Sequence, residues 1–243
     1  MAQPKTLNPK PLQRLTLFLG FLTLAFGLVL ISIFPSKAEL SKGYVTPIIA
    51  FEFASSEADL NFLNGSSKHK VDTRHAMRLG LYWDMVFPFA YAGFLALLIL
   101  AFKHSKLAIA ISGAFVSCLI IPFDLYENIA MLNILSALDI SANLSVDLGN
   151  GHATLAPLLS LLHIATWLKW GALGVGIACL SILQWQNQAP KTALLSAVTA
   201  LLVLVTYASG TMPVIAEVMS LSVFVFFLMN FISSVLIRRR ESA

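Results

Sequence analysis

The chain contains about six long apolar runs, each about 20 residues, and this feature leaves few folds open. At ~1.5 Å per residue, a 20-residue helix crosses the ~30 Å hydrocarbon core of a bilayer. Every backbone N–H and C=O at that depth must be satisfied within the protein, so a continuous run means a helix. A barrel would instead show alternating segments of about 10 residues. Of the 243 residues, 58% are hydrophobic and only 12% are charged, against about 25% charged in soluble domains. The expectation is an all-α membrane protein, a single integral-membrane domain over residues 1–243. It would be a bundle of about six transmembrane helices with a short exterior interfacial helix.

Read by hydropathy, the spans are Leu15–Phe34, Leu79–Phe102, Leu107–Ile134, Leu155–Leu183, Thr192–Ser209 and Val214–Ile237. The net charge of +4 is a topology signal rather than a nucleic-acid footprint, because its excess is local. Lys5, Lys10 and Arg14 precede the first span, and Lys103 and Lys106 join the second to the third. Lys191 precedes the fifth, and Arg238, Arg239 and Arg240 close the sixth. Six spans put all of these on one side, which predicts an inner-membrane protein with both termini cytoplasmic. The loop Ser136–Thr154 on the other side carries Asp139 and Asp147 and no lysine or arginine. The longer loop Pro35–Arg78 is basic, but long loops count less. A cleaved signal peptide is the alternative for the first span, with Ser36-Lys37-Ala38 as a loose cleavage site. Its apolar run exceeds the usual 7–15 residues.

In the first exterior loop, VTPIIAFEFASSEADLNFLNG predicts a helix over about 47–63. Ile49, Phe53, Leu60 and Leu63 share one face, while Phe51, Ala54, Ala58 and Phe62 share nearly the opposite one. Glu52 and Asp59 fall together on a flank. Such a helix sits either between headgroups and bundle or simply at the interface.

The polar residues inside the spans carry the functional signal. Each charge there costs ~2.5–3.5 kcal/mol on insertion scales and usually finds a partner. YWDMVFPFAYAG supplies Asp84, IPFDLYENIAMLN supplies Asp124, Glu127 and Asn128, and LHIATWLKW supplies His163, Thr166 and Lys169. Glu217 opens the sixth span. Asp124, Glu127 and Asn128 share one stripe by their i, i+3, i+4 spacing. Asp84, Pro88 and Tyr91 follow an i, i+4, i+7 stripe, and Thr166 and Lys169 are three apart. A helical side chain points toward its own N-terminus, which brings Lys169 to the depth of Asp124 and Glu127. Gly171, Gly174 and Gly176 let the fourth helix approach a neighbour. Lys169 is therefore expected to be the counter-ion of the third-span carboxylates, with Asp84 nearby, in a polar pocket in the exterior half of the bundle. Carboxylates outnumber the lysine, so a proton, a cation or a ligand amine completes the balance.

Each reading has a plain counterpart. Lys169 with Asp124 and Glu127 could be a structural ion pair, and Asp84 and Glu217 solvated helix ends. His163 could be a hydrogen-bonded packing residue six positions from Lys169. His69, Asp72 and His75 in KHKVDTRH read as a solvated loop rather than a metal site. Pro88 and Pro122 should bend their helices. Cys118 and Cys179 lie in apolar runs and read as buried, inert thiols. No Walker-type loop, HExxH, GxSxG or histidine box is present, and paired intramembrane histidines for haem are lacking. No cofactor or metal is implied. Lys169 as a retinal Schiff base does not fit the span count.

The segments FEFA, YWDMVFPFAYAG, FDLYEN and LHIATWLKW resemble, in order, motifs of an uncharacterised bacterial multi-pass inner-membrane protein family. The resemblance covers about Thr46–Trp170. It implies that Glu52, Asp84, Asp124, Glu127, Asn128 and Lys169 belong together, and it implies no reaction. The functional expectation is a protein that binds or transports a small polar or amphipathic molecule, with membrane lipids and a small-molecule or lipid ligand as its partners. The alternatives are an intramembrane enzyme acting on a lipid-derived substrate or an assembly protein. In the enzyme, Glu127 or Asp124 would be general base and Lys169 the electrostatic stabiliser. In the assembly protein, the ion pair only fixes the fold.

Overall fold

A computed structural model describes residues 9–41, 43–103, 106–144, 155–210 and 212–242. Among these the fold is helical throughout: α1 Pro9–Ile33, α2 Pro47–Glu52, α3 Lys68–Asp84, α4 Phe87–Ala101, α5 Leu107–Leu144, α6 Ala156–Gln186, α7 Pro190–Ala208 and α8 Pro213–Ser242. Proline stands in the first turn of α2, α4, α6 and α7. There its missing N–H costs no hydrogen bond and its fixed φ favours the helix. Five helices are long and apolar enough to cross a membrane, and α3 with α4 makes a sixth if that pair, bent by 42°, counts as one span. Lys5 and Asp147 lie outside the described residues.

Three expectations are corrected in extent. The second span starts earlier and is broken: KHKVDTRH is helical, and α3 ends at Asp84 before Pro88 opens α4. His69, Asp72 and His75 are exposed on α3. The third span does not stop at Ile134; α5 runs 38 residues to Leu144, about 57 Å at 1.5 Å per residue. Nothing in LSALDISANL breaks a helix, so the fall in hydropathy there does not mark a helix end. Pro122 lies inside α5 without ending it. The helix expected over 47–63 is two pieces, α2 and a short 3-10 helix at Glu57–Leu60. The break has a local cause. Asp59 Oδ2 accepts from the backbone N–H of Ser55 (3.0 Å) and Ser56 (2.9 Å) and from both hydroxyls, which takes those donors from a helix.

Two apolar clusters hold the bundle. One is central and gathers Phe94, Leu95, Ile99, Ile120, Trp170, Leu173, Ile177 and Phe226. The other lies at the end bearing α2, where Phe51, Leu60, Phe62 and Leu63 pack on Met77, Met131, Ile134 and Leu162. Gly174 meets Val203 of α7, and Gly176 meets Ser117 of α5 and Leu95 of α4, so both serve close approach; Gly171 faces open space. Inside lipid such packing and interhelical hydrogen bonds replace the hydrophobic effect as glue. Gln184 of α6 donates to Asn230 of α8 (2.8 Å) and accepts from Ser196 of α7 (2.8 Å). The two cysteines are free, but Cys118 is exposed on the outer surface of α5 rather than buried.

Candidate functional site

The charged residues form a seam between the two clusters. Along α5, Ile120 belongs to the central cluster and Met131 to the other, with Asp124, Glu127 and Asn128 between them. Along α6 the order is Leu162, then Thr166 and Lys169, then Leu173. Helical periodicity therefore turns both polar stripes inward at one level.

Lys169 is the hub. Its ammonium donates to Glu127 Oε2 in a very short contact, lies 3.1 Å from Glu52 Oε2 and 3.8 Å from Asp124 Oδ1, and sits 5.2 Å from the Trp170 ring centre. Tyr91 of α4 donates its hydroxyl to Asp124 Oδ2 at 2.6 Å, and the Trp170 indole N–H donates to Glu52 Oε2 at 3.2 Å. Thr166 donates to the Glu52 backbone carbonyl at 3.1 Å, anchoring the end of α2 on α6. Glu52 is thus drawn into the bundle, away from Asp59, contrary to the shared flank expected of a continuous helix. Asp84 is half-buried at the α3–α4 break, beside Asp124 and Asn128. His163 is not in the cluster: it is exposed, with its ring 6.4 Å from that of Trp167.

The balance is uneven. Glu52, Asp84, Asp124 and Glu127 gather around the single cation Lys169. Several buried atoms make no hydrogen bond within the protein, among them Asp124 Oδ1 and Glu127 Oε1. Such groups are expensive in a low-dielectric interior.

The seam forms the floor of a cavity of about 650 Å³. Glu52, Asp84, Asp124 and Lys169 reach it, while Glu127 stays behind Lys169. The walls are apolar faces of α1 and α8, including Leu30, Ile31, Leu221 and Phe224. Ile31 and Leu221 are 66% and 63% exposed, so the cavity opens sideways between those helices. Gly27 lines it, and a Cβ there would meet nothing within 4 Å.

Two further groups escaped the sequence reading. Glu217 is not a solvated helix end. It accepts from the backbone N–H of Val45 (2.9 Å) and Thr46 (2.7 Å) and from the Thr46 hydroxyl (2.7 Å), holding the segment before α2 on α8. Burial, with Asp59 and Glu217 nearby, pushes the neighbouring Tyr44 phenol up to about 12. Near the far end of α5, buried Arg74 donates to Asp139 (2.6 Å) and to the carbonyls of Leu63 (2.6 Å) and Gly65 (2.8 Å), and Arg78 donates to Asp139 at 2.8 Å. The only signal for this clamp was a pair of arginines four apart in a stretch that reads as loop.

Fold and site together define a multi-pass helical membrane protein with a buried, charge-imbalanced cluster beneath a lateral cavity. No protein-family model matches the chain, and no curated protein or solved structure shows significant similarity to it.

Proposed function

We propose that the protein binds, and in doing so carries or presents, a membrane-borne amphiphile, with its head on the Lys169 cluster and its tail between α1 and α8. One observation carries this reading: a cavity of about 650 Å³ joins an ionic floor to apolar walls and opens toward lipid at Ile31 and Leu221. Its size suits a small-molecule or lipid ligand. A purely structural ion pair needs no such space above it. Arg14, Lys103, Lys106 and Lys191 cluster at the end away from α2, which supports an inner-membrane orientation with cytoplasmic termini. The cavity then lies in the outer half of the bilayer.

Trp170 lines the cavity and is otherwise buried, so it reports occupancy. Substituting Trp83→Phe, Trp167→Phe and Trp185→Phe leaves it as the one tryptophan of the four. In lipid nanodiscs, an amphiphile brominated along its tail should quench Trp170. Gly27→Phe, which fills open space, should abolish most of that quenching. Absence of quenching, or quenching indifferent to Gly27→Phe, overturns the reading.

A further inference from the structure

Resting on the amphiphile reading above, the identity of the head group follows from charge. Among the described residues lining the cavity, the carboxylates are Glu52, Asp84, Asp124 and Glu217, and the one cation is Lys169. That cation is already engaged by Glu127 from behind and by Glu52 beside it. Glu217 is likewise engaged, by the amides and hydroxyl at Val45–Thr46. The groups left to meet a ligand are therefore Asp84 and Asp124. Asp124 is only 3% exposed, reaches the cavity, and has an oxygen, Oδ1, without a hydrogen bond; its nearest cation is Lys169 at 3.8 Å. An orphaned carboxylate oxygen at the floor of a low-dielectric pocket calls for a positive partner.

The surroundings favour a cation that also carries carbon. Tyr91, Phe87 and Trp170 line the same end, with the Phe87 and Tyr91 rings 4.9 Å apart and Tyr91 5.8 Å from Phe227. Aromatic rings beside carboxylates are the usual receptor for ammonium groups. A phosphate-bearing head group is disfavoured, because no second lysine or arginine lines the cavity to meet it. An anionic head would face Asp84 and Asp124 directly.

We infer that the ligand is a net-cationic amphiphile, an alkylammonium whose nitrogen sits against Asp84 and Asp124 while its chain leaves between α1 and α8. The site is selective by sign of charge, because the shaft accepts any alkyl chain and only the floor distinguishes heads.

The test uses the full chain in phosphatidylcholine nanodiscs, with Trp170 as the one tryptophan and a neutral brominated octadecyl alcohol as quencher. Octadecyltrimethylammonium, octadecanol and stearate are compared for the membrane mole fraction that restores fluorescence. The ammonium should compete at least tenfold better than the alcohol, and stearate worse than either. Asp84→Asn and Asp124→Asn should each erase most of the ammonium's advantage over the alcohol. Asp84 is only half-buried, so its variant serves even if the Asp124 one does not fold. If all three compete equally and Gly27→Phe blocks them all, the amphiphile reading stands and the cationic head falls. Preference for stearate overturns the inference in the same way. If nothing quenches or competes, both readings fall together.

Discussion

Among the described residues, two ionic clusters are built on opposite plans. At the far end of α5, Arg74 and Arg78 share one carboxylate, Asp139, and Arg74 Nη1 donates to two backbone carbonyls. Cations are in excess there, and the surplus is spent pinning the segment that follows the 3-10 helix. In the seam, carboxylates are in excess and some of their oxygens go unused. The clamp turns its donors on backbone carbonyls as well as a carboxylate, whereas the seam keeps acceptors in reserve. Burial of charge alone thus does not make two ionic clusters alike; they differ in how many buried polar atoms are left without a partner beside a cavity.

The sharpest way to break this comparison is to remove each cation. Lys169→Met should cost ~3–5 kcal/mol by leaving Glu127 buried and unpaired, and Lys169→Met with Glu127→Gln should recover much of it. Arg74→Met should cost less, about 2–3 kcal/mol, but adding Asp139→Asn should recover little, because the carbonyls of Leu63 and Gly65 stay unsatisfied. Reversible unfolding in mixed micelles measures both cycles. Equal recovery in the two would erase the distinction between the clamp and the seam.

A smaller contrast concerns two glycines. At Gly80 an added Cβ would fall 2.3 Å from the Phe34 ring, whereas at Gly27 it meets nothing. Gly80→Ala should therefore lose about 1–3 kcal/mol through overpacking, and Gly27→Ala should be neutral or gain up to ~1 kcal/mol from helix propensity. Equal thermal midpoints for the two variants would deny that the cavity is open at Gly27.

The smallest effect belongs to the loop. Burial alone would raise Asp59, but the hydrogen bonds from Ser55 and Ser56 outweigh it and hold the carboxyl below its ordinary range. A depressed carboxylate stabilises the fold above its unfolded pKa, near 3.9, and that contribution is lost as pH falls through the folded value. Amide exchange at Ala58–Leu60 should thus accelerate below pH ~4, and Asp59→Asn should flatten that dependence at a cost of at most about 1 kcal/mol. Acid-insensitive exchange in the parent chain would contradict it.

Much of the seam was legible before any coordinates. Intramembrane charge is costly enough that Lys169 had to find carboxylates, and a 3.6-residue period put Asp124, Glu127 and Asn128 on one stripe. Glu52 was not legible by that route. The apolar pattern of 47–63 reads as one helix, while the Ser55–Ser56–Asp59 hydrogen bonds that break it are a local competition hydropathy does not record. Arg74 was hidden for the opposite reason: a charged residue in a polar stretch looks solvated, and only the unbroken length of α5 brings Asp139 to it. Six residues turn His163 about 120° from Lys169 around α6, and it lies on the outer surface.

The wide sequence separation of the seam has a consequence for how the chain is made. Glu52, Asp84, Asp124 and Glu127 are all synthesised before Lys169, the nearest of them by 42 residues. At ~5–20 residues per second, α5 waits for seconds with its carboxylates facing the translocation machinery and no counter-ion. If protons escort them until α6 arrives, Cys118 on the outer surface of α5 should be alkylated from water more readily in chains arrested before residue 156 than in chains arrested after residue 186. The lysine at the hub of the seam would then act first as the latch that commits α5 to the bilayer.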